Sequence, residues 1–410
     1  MKIAIIGAGP AGVNVVETFR RFDRDSEIVM FSDEPYPPYS PPAMMKYFQT
    51  GRELHYWKGK NFPDVFNVEY NQGAKVDDVY PDDHSIQLDD GKLVNYDKLV
   101  IASGGRLYAA KLEEFKEGVY NFKSLSAAED LFGRVKDKKA NSALVIGAGF
   151  IGTEVGLLLK DMGLEVTQLV RSRVMRRMLD PETSKVVLEM IKDRGIKTRR
   201  GDDADAVSFV GEKRAEGVKV KSGDVVTADL LIAATGMKPN IEFLDGSSIE
   251  TDWGVIVDDH LRTNYPDIYA AGDVAEDFDR FTGERTVHAI FPNAVDQGKI
   301  VAYNLLGREV TYEGSLSMNS LKHLGVPVIA AGSMEGEEIR RRTDASLRKI
   351  YLKDDKITGF RLTGDISSAG IFRTLLNKKV NVESIKDDLL KPNFGMGYIE
   401  EVVRSASHRI

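Results

Sequence analysis

A β-branched run, Ile3-Ala4-Ile5-Ile6, breaks directly into Gly7-Ala8-Gly9-Pro10-Ala11-Gly12, and an apolar helical pattern follows from Val13. This is a strand, a tight glycine turn and a helix. Gly7 allows the turn, Gly9 lets backbone N–H groups approach a pyrophosphate, and Gly12 lets the helix pack on the strand. The helix N-terminus then presents unpaired N–H groups and a partial positive charge to phosphate. A second copy stands at Ala143-Leu144-Val145-Ile146-Gly147-Ala148-Gly149-Phe150-Ile151-Gly152. Two such units in one chain imply two bound dinucleotides.

Each unit carries its own discriminating residues. The run Glu27-Ile28-Val29-Met30-Phe31 is predicted to be the second strand of the first unit. An acidic residue at the end of this strand commonly holds the ribose hydroxyls. Ser32 occupies the usual position and Asp33 and Glu34 follow it, so either acid or the serine is a candidate; the alternative is that both acids are solvated loop charges. The proline-rich stretch from Pro35 to Pro42 is stiff and extended, and a helix is predicted to start near Ala43. In the second unit, the strand Glu165 to Val170 ends on valine, so the carboxylate that selects NADH is absent. Arg171, Arg173, Arg176 and Arg177 follow at once. They suit a 2′-phosphate, which leans towards NADPH, or form a solvated helix face.

Further strand-to-glycine-turn junctions occur at Leu99–Gly105, Leu230–Gly236 and Ile268–Gly272, the last with Asp273 at its tip. The chain has 410 residues, enough for two or three domains, and 42% apolar residues, enough for sizeable cores. A net charge of −7 with acids and bases interspersed argues against a nucleic-acid footprint. No apolar run reaches membrane-spanning length and the N-terminus is itself a strand, which points to the cytoplasm. There is no cysteine, which excludes a redox disulfide, a thiolate nucleophile and cysteine-ligated iron within this chain. The six histidines, His55, His84, His260, His288, His323 and His408, show no ligand spacing, so no metal is expected.

The order of GAGPAG, the turn near Gly104, GAGFIGTE, ATGMKPN, AAGDVAE and FPNAVDQG resembles the FAD-dependent pyridine-nucleotide reductases along nearly the whole chain. It is most similar to the branch of NAD(P)H:rubredoxin reductases, nitrite-reductase flavoproteins and ferredoxin reductases. The resemblance implies an α/β fold: two three-layer Rossmann-like dinucleotide-binding domains plus a C-terminal α+β interface domain. Residues 1–108 and 241–311 would form a discontinuous FAD domain, 109–240 the NAD(P) domain, and 312–410 the interface domain.

FAD contacts are thereby implied at Gly7, Gly9, Pro10, Ala11 and Gly12, at Ser32, Asp33 and Glu34, and at Ser40, Pro41 and Lys46. Val76, Ala102, Ser103, Gly104 and Arg106 join them. Gly272 and Asp273 would meet the ribityl chain, and Phe291, Pro292, Asn293 and Ala294 would lie beside the isoalloxazine. The nicotinamide nucleotide would be held by Gly147, Gly149, Phe150, Ile151, Gly152, Glu154, Arg171, Arg177, Thr235 and Gly236. Lys46 would sit near flavin N5 with Glu154 as its carboxylate partner, and these two are the candidate catalytic residues. Related disulfide reductases carry a cysteine close to Pro41–Met44, and none is present here.

The implied activity is hydride transfer from NAD(P)H, with NADPH favoured, to FAD, and then electron transfer to a small rubredoxin- or ferredoxin-type carrier or an oxygenase component without a thiol relay. Two alternatives stand beside it, a peroxide-forming NAD(P)H oxidase and a redox-sensing or scaffold subunit of a larger complex. A homodimer is among the allowed assemblies. Basic residues at Lys46, Arg340–Arg342 and Lys378–Lys379 would suit an acidic carrier, or are simply solvated.

Overall fold

The computed structural model describes residues 1–108, 115, 117–137, 139–322 and 325–399, and these divide into two compact units. Part of the stretch Lys111 to Lys139, which the sequence marks as a charged connector, lies outside the described residues, as do His323 and His408.

The first unit takes 1–108, 120–137 and 236–315. Its centre is a five-stranded, all-parallel sheet in the order Ile268–Ala270, Lys98–Ile101, Lys2–Ile6, Glu27–Ser32, Glu69–Gln72. Near-continuous apolar runs suit strands covered on both faces, and Ile3, Ile5, Leu99 and Val100 have no exposed surface. A small antiparallel sheet, Val76–Tyr80, Ser85–Leu88 and Leu93–Asn95, shares this core through Val79, Ile86 and Val94. The helices Pro10–Phe19 and Phe291–Leu305 pack tightly on each other. Gly298 makes that approach possible, because a β-carbon there would lie 2.4 Å from the Ala11 carbonyl oxygen.

The helix Leu125–Lys136, expected within the nicotinamide domain, belongs to this first unit. The stretch from Lys111 to Lys139 reads as a charged connector, which hides the reason. Phe132 stacks on Phe48 at 4.1 Å, and Phe122 meets both rings edge-on.

The second unit takes its described residues from 115–119, 139–235 and 316–399. Its parallel sheet runs Lys197–Arg200, Glu165–Val170, Ser142–Ile146, Leu230–Ala233. A three-stranded antiparallel sheet, Ala206–Val210, Gly217–Val220 and Val225–Thr227, covers it through Phe209, Val218 and Val220. The C-terminal block, expected as a separate domain, groups with this unit. It is a five-stranded antiparallel sheet in the order Met318–Leu321, Val328–Gly332, Lys356–Thr363, Leu347–Lys353, Glu337–Arg342. The helix Ala369–Asn377 packs on it through Phe372 against Phe360.

Two glycines in helices have opposite expectations. Gly298→Val forces a side chain into the helix crossing and lowers stability by about 1–3 kcal/mol. Gly133→Ala, in an exposed helical site with open space around it, raises stability by roughly 0.5–1 kcal/mol. Urea denaturation of the two variants checks both signs.

Candidate functional site

The three glycines of the first turn are used differently. Gly7 has φ +109°, and a β-carbon there would lie 2.1 Å from the Ala102 carbonyl oxygen. One at Gly12 would lie 2.2 Å from the Gly7 carbonyl oxygen. Both positions exclude side chains for reasons internal to the fold. Gly9 does not, since no described atom comes within 4 Å of its β-carbon position. Gly9 is also the N-cap of the helix Pro10–Phe19, which has no side-chain cap. The result is an open, uncapped helix N-terminus at the carboxyl end of the central strand, where the chain order switches direction across the sheet. Ser32 is the last residue of one neighbouring parallel strand, and Ala102, Ser103, Gly104 and Gly272 follow the ends of others. Val76 is buried in the core of the same unit.

Among the three ribose candidates, Glu34 has structural work. Its Oε2 accepts hydrogen bonds from Tyr39 Oη at 2.7 Å and from the backbone N–H of Leu125 at 2.9 Å. Glu34 therefore caps the helix Leu125–Lys136, alongside the N-cap Ser124. Ser32 accepts from the Glu34 N–H at 3.2 Å, and Asp33 is exposed. Arg106 is also engaged locally, with Asn240 Oδ1 at 2.9 Å and with Glu242, whose carboxyl it holds well below the usual range. Ser103 Oγ donates to the Asn240 carbonyl at 2.8 Å.

Asp273 forms an ion pair with Lys123 at 2.5 Å, both side chains largely buried. Next to it, the Gly272 N–H donates to Gln297 Oε1 at 2.6 Å. Gln297 Nε2 donates in turn to Asp277 Oδ2 at 3.1 Å, which also accepts from Ser315 Oγ at 2.7 Å. Asp277 and Asp279 flank His288 at 3.3 and 3.0 Å. Burial alone would lower the His288 pKa, but the two carboxylates outweigh it and hold the imidazolium up to about 9. Gln297 lies on the helix Phe291–Leu305, whose N-cap Ile290 offers no side-chain cap. Trp57 meets Phe291 edge-on at 5.3 Å, and its buried indole N–H has no partner among the described residues. Ser40 is the N-cap of the helix Pro41–Thr50, which carries Lys46 on an exposed face.

Lys123, Trp57, His288 and Gln297 were not legible as site residues. Gln297 stands in a recognised motif, but the partners of the other three are set by chain folding.

The second unit repeats the turn. Gly147 has φ +114° with its β-carbon position 2.3 Å from the Ala234 carbonyl oxygen, next to Thr235; Gly149 is open and caps the helix Phe150–Asp161 without a side chain. Gln168, fully buried, donates to the Gly147 carbonyl and to Thr153 Oγ1, both at 3.1 Å. Glu154 sits in the first turn and a half of this helix, and burial pushes its carboxyl up to about 7. Lys46 and Glu154 belong to different units. Arg171, Arg173, Arg176 and Arg177 are exposed; Arg171 lies 3.6 Å from Asp205. Gly236 opens the strand Gly236–Pro239.

The profile of the family described as pyridine nucleotide-disulphide oxidoreductase matches residues 1–298. The chain belongs to this family. It is 27% identical over 405 residues to the assimilatory nitrate reductase electron transfer subunit of Bacillus subtilis, covering 95% of this chain and 51% of that protein. The chain thus spans about half the length of the first curated relatives it matches. It is 30% identical over 437 residues to the NADH oxidase of Methanocaldococcus jannaschii, covering 94% and 93% of the two chains. Among solved structures, an engineered water-forming NADPH oxidase, made from the Lactobacillus brevis NADH oxidase, superposes with a TM-score of 0.83 at 23% identity, covering 100% and 99%.

The family is one of NAD(P)H-dependent oxidoreductases, and it supports binding of FAD and a nicotinamide nucleotide. The residues present fit two such groups: Gly9 and Gly149 leave cradles that any β-carbon would fill, each at an uncapped helix N-terminus. Among the described residues, no helix is long and apolar enough to cross a membrane. Among the described residues one group of metal-type ligands lies together, Asp258, Asp259 and His260. Its imidazole is shared with Asp259 and Glu309, and Arg262 pairs with Asp258 and Glu309.

The His288 pair has a measurable consequence. Its contribution to stability is complete below the ordinary imidazole value of 6.5 and is lost as pH rises through about 9. His288→Gln flattens the pH dependence of the urea midpoint over that window. An identical slope in both proteins would show that the imidazole is not charged.

Proposed function

We propose that the chain is an NADPH-dependent flavoprotein reductase that delivers electrons to a small rubredoxin- or ferredoxin-type protein without a thiol relay. The observation that carries this reading is the complete lack of cysteine in a member of a family named for disulphide chemistry. The helix Pro41–Thr50 opens with two prolines and has no nucleophilic sulfur to receive electrons. Among the relatives, the Bacillus subtilis protein is called an electron transfer subunit, and that name supports the reading.

FAD, when bound, accepts hydride at N5 and releases electrons onwards. The proposed contributions of the chain are positional and electrostatic. The N–H of Ala11, the open Gly9 and the helix dipole hold the pyrophosphate. Pro10 sets the first helical φ at no cost in donors. Ser32 or Asp33 takes the ribose hydroxyls, Asp273 the ribityl chain with Lys123 holding its carboxylate, and the uncapped N-terminus at Phe291–Ala294 favours electron density on the ring. Lys46 and Glu154 remain the proposed catalytic residues. Glu154 is neutral below about pH 7 and ionised above it.

NADPH is supported by Val170, Arg171, Ser172 and Arg177. The engineered NADPH oxidase replaces an aspartate by alanine, the next two residues by arginine and serine, and a later proline by arginine. Val170, Arg171, Ser172 and Arg177 follow the same spacing, and Gly152 precedes Val170 by the same interval as the glycine replaced in that protein. The second reading, an NAD(P)H oxidase, is favoured by the name of the Methanocaldococcus relative.

Anaerobic titration with NADPH and NADH, followed by addition of rubredoxin, ferredoxin or air, separates the two. Fast reoxidation by a carrier and slow reoxidation by air supports the reductase; catalytic reoxidation by air alone establishes the oxidase. Arg171→Ala or Arg177→Ala weakens NADPH binding about tenfold and leaves NADH unchanged, as expected for one charge-assisted hydrogen bond. The rate of flavin reduction has a step near pH 7, which Glu154→Gln removes. A step that persists in the variant assigns it to another group.

A further inference from the structure

The loop from Arg171 to Leu179 joins the strand Glu165–Val170 to the helix Pro181–Asp193. Two buried hydrogen bonds fix its middle. The Met175 N–H donates to the Ala148 carbonyl at 2.7 Å, which ties the loop to the glycine turn. Ser184 Oγ, on the following helix, donates to the Val174 carbonyl at 2.7 Å. Met175 has φ +51°, a left-handed conformation that a non-glycine residue keeps only where its surroundings impose it. Val174, Met175 and Leu179 are buried while the four arginines face outward. The loop is a rigid mount for cations.

Its far end is Asp180, the N-cap of the helix, which accepts from the N–H groups of Glu182 and Thr183. Lys349, in the strand Leu347–Lys353, reaches this cap. Its side chain is 4% exposed, and Nζ lies 2.8 Å from Asp180, 2.9 Å from Glu182 and 3.3 Å from Glu338. Arg340 and Arg342 pair with Glu182 at 2.7 and 3.1 Å. Two members of the basic run read as a docking surface are therefore committed to this cluster. Lys349, Arg340 and Arg342 balance Asp180, Glu182 and Glu338, so the cluster adds no net charge to its surroundings. A buried ammonium among carboxylates holds its neighbours in place, because removing either sign strands the other.

We infer that Lys349 is a positioning residue for nucleotide selectivity: by clamping Asp180 it fixes the height of the loop that presents Arg171 and Arg177. This rests on the reading of those arginines as the 2′-phosphate contact. Lys349→Met leaves the cluster net negative and Asp180→Asn leaves it net positive, so a field effect at the phosphate has opposite signs in the two variants, whereas a positional effect has the same sign in both. Asp180 is only three residues from Arg177, and helix start and loop move together. A purely structural strut would change stability and leave the preference between the two nucleotides alone.

The test uses the full-length, flavin-loaded protein and the oxidised nucleotides, so that no turnover enters. Kd for NADP⁺ and NAD⁺ is measured by calorimetry, and protection of the Met175 amide by hydrogen exchange. Lys349→Met is expected to weaken NADP⁺ binding at least fivefold, in the range of one impaired charge-assisted hydrogen bond, with NAD⁺ unchanged and faster exchange at Met175. Lys349→Arg retains the selectivity. Asp180→Asn keeps a helix cap and removes only the charge that Lys349 holds, so it gives the same selective loss if Lys349→Met fails to fold. An unchanged ratio of the two Kd values in a folded variant overturns the inference. If Arg171→Ala and Arg177→Ala leave NADP⁺ binding intact, the 2′-phosphate reading itself falls, and the role of Lys349 with it.

Discussion

At Gly7 and Gly147 a β-carbon would sit 2.1 and 2.3 Å from a carbonyl oxygen at the end of a neighbouring parallel strand. Backbone packed against backbone at this distance lets the chain turn within three residues and begin a helix directly above the sheet. The next glycines, Gly9 and Gly149, inherit a position with open space in front and a helix dipole behind. The steric contact is thus the cause and the anion cradle its consequence. A side chain at Gly7 would displace the turn, whereas one at Gly9 would leave the fold intact and fill the cradle.

The helix termini are satisfied in different ways. Those of Pro10–Phe19, Phe150–Asp161 and Phe291–Leu305 have no side-chain cap. Those of Leu125–Lys136 and Pro181–Asp193 are capped, by Ser124 with Glu34 and by Asp180. An uncapped N-terminus leaves donors unsatisfied at a free-energy cost. The helices Pro41–Thr50 and Ala369–Asn377 also lack a side-chain cap, so an uncapped N-terminus points to an anion only where an open glycine stands beside it, as at Gly9 and Gly149.

Sequence separation decides what can be read from the sequence. The two glycine turns are local, and the spacing of apolar strand, glycine and helix fixes them within a dozen residues, so both turns are legible in the sequence. Glu34 is not, because its partner at Leu125 lies 91 residues away, and a carboxylate after a second strand looks alike whether it faces a ribose or a helix end. Lys123 meets Asp273 across 150 residues, and Lys349 meets Asp180 across 169. Charge is a poor guide to pairing at such separations, since any lysine in a mixed sequence has many candidate carboxylates. The helix Leu125–Lys136 is hard to place for a related reason: its sequence position lies between the two glycine motifs, while the contacts that assign it to the first unit, the Phe48, Phe122 and Phe132 cluster and the Glu34 cap, are distant in sequence.

Two buried clusters are built on one plan. His288 is held between Asp277 and Asp279, and Lys349 among Asp180, Glu182 and Glu338. Each places one cation at the centre of several acids, and each extends through a hydrogen bond to a segment that bears candidate ligands: Asp277 through Gln297 to the Gly272 N–H, and Lys349 through the Asp180 cap to the arginine loop. Measured against a well-packed apolar replacement such clusters add little stability, although the charge on His288 still makes stability depend on pH. They do narrow the geometry. Gln297 illustrates this: its amide end is fixed by donation to Asp277, so its oxygen must face Gly272. Residues outside the cradles thereby decide the orientation of the groups that line them.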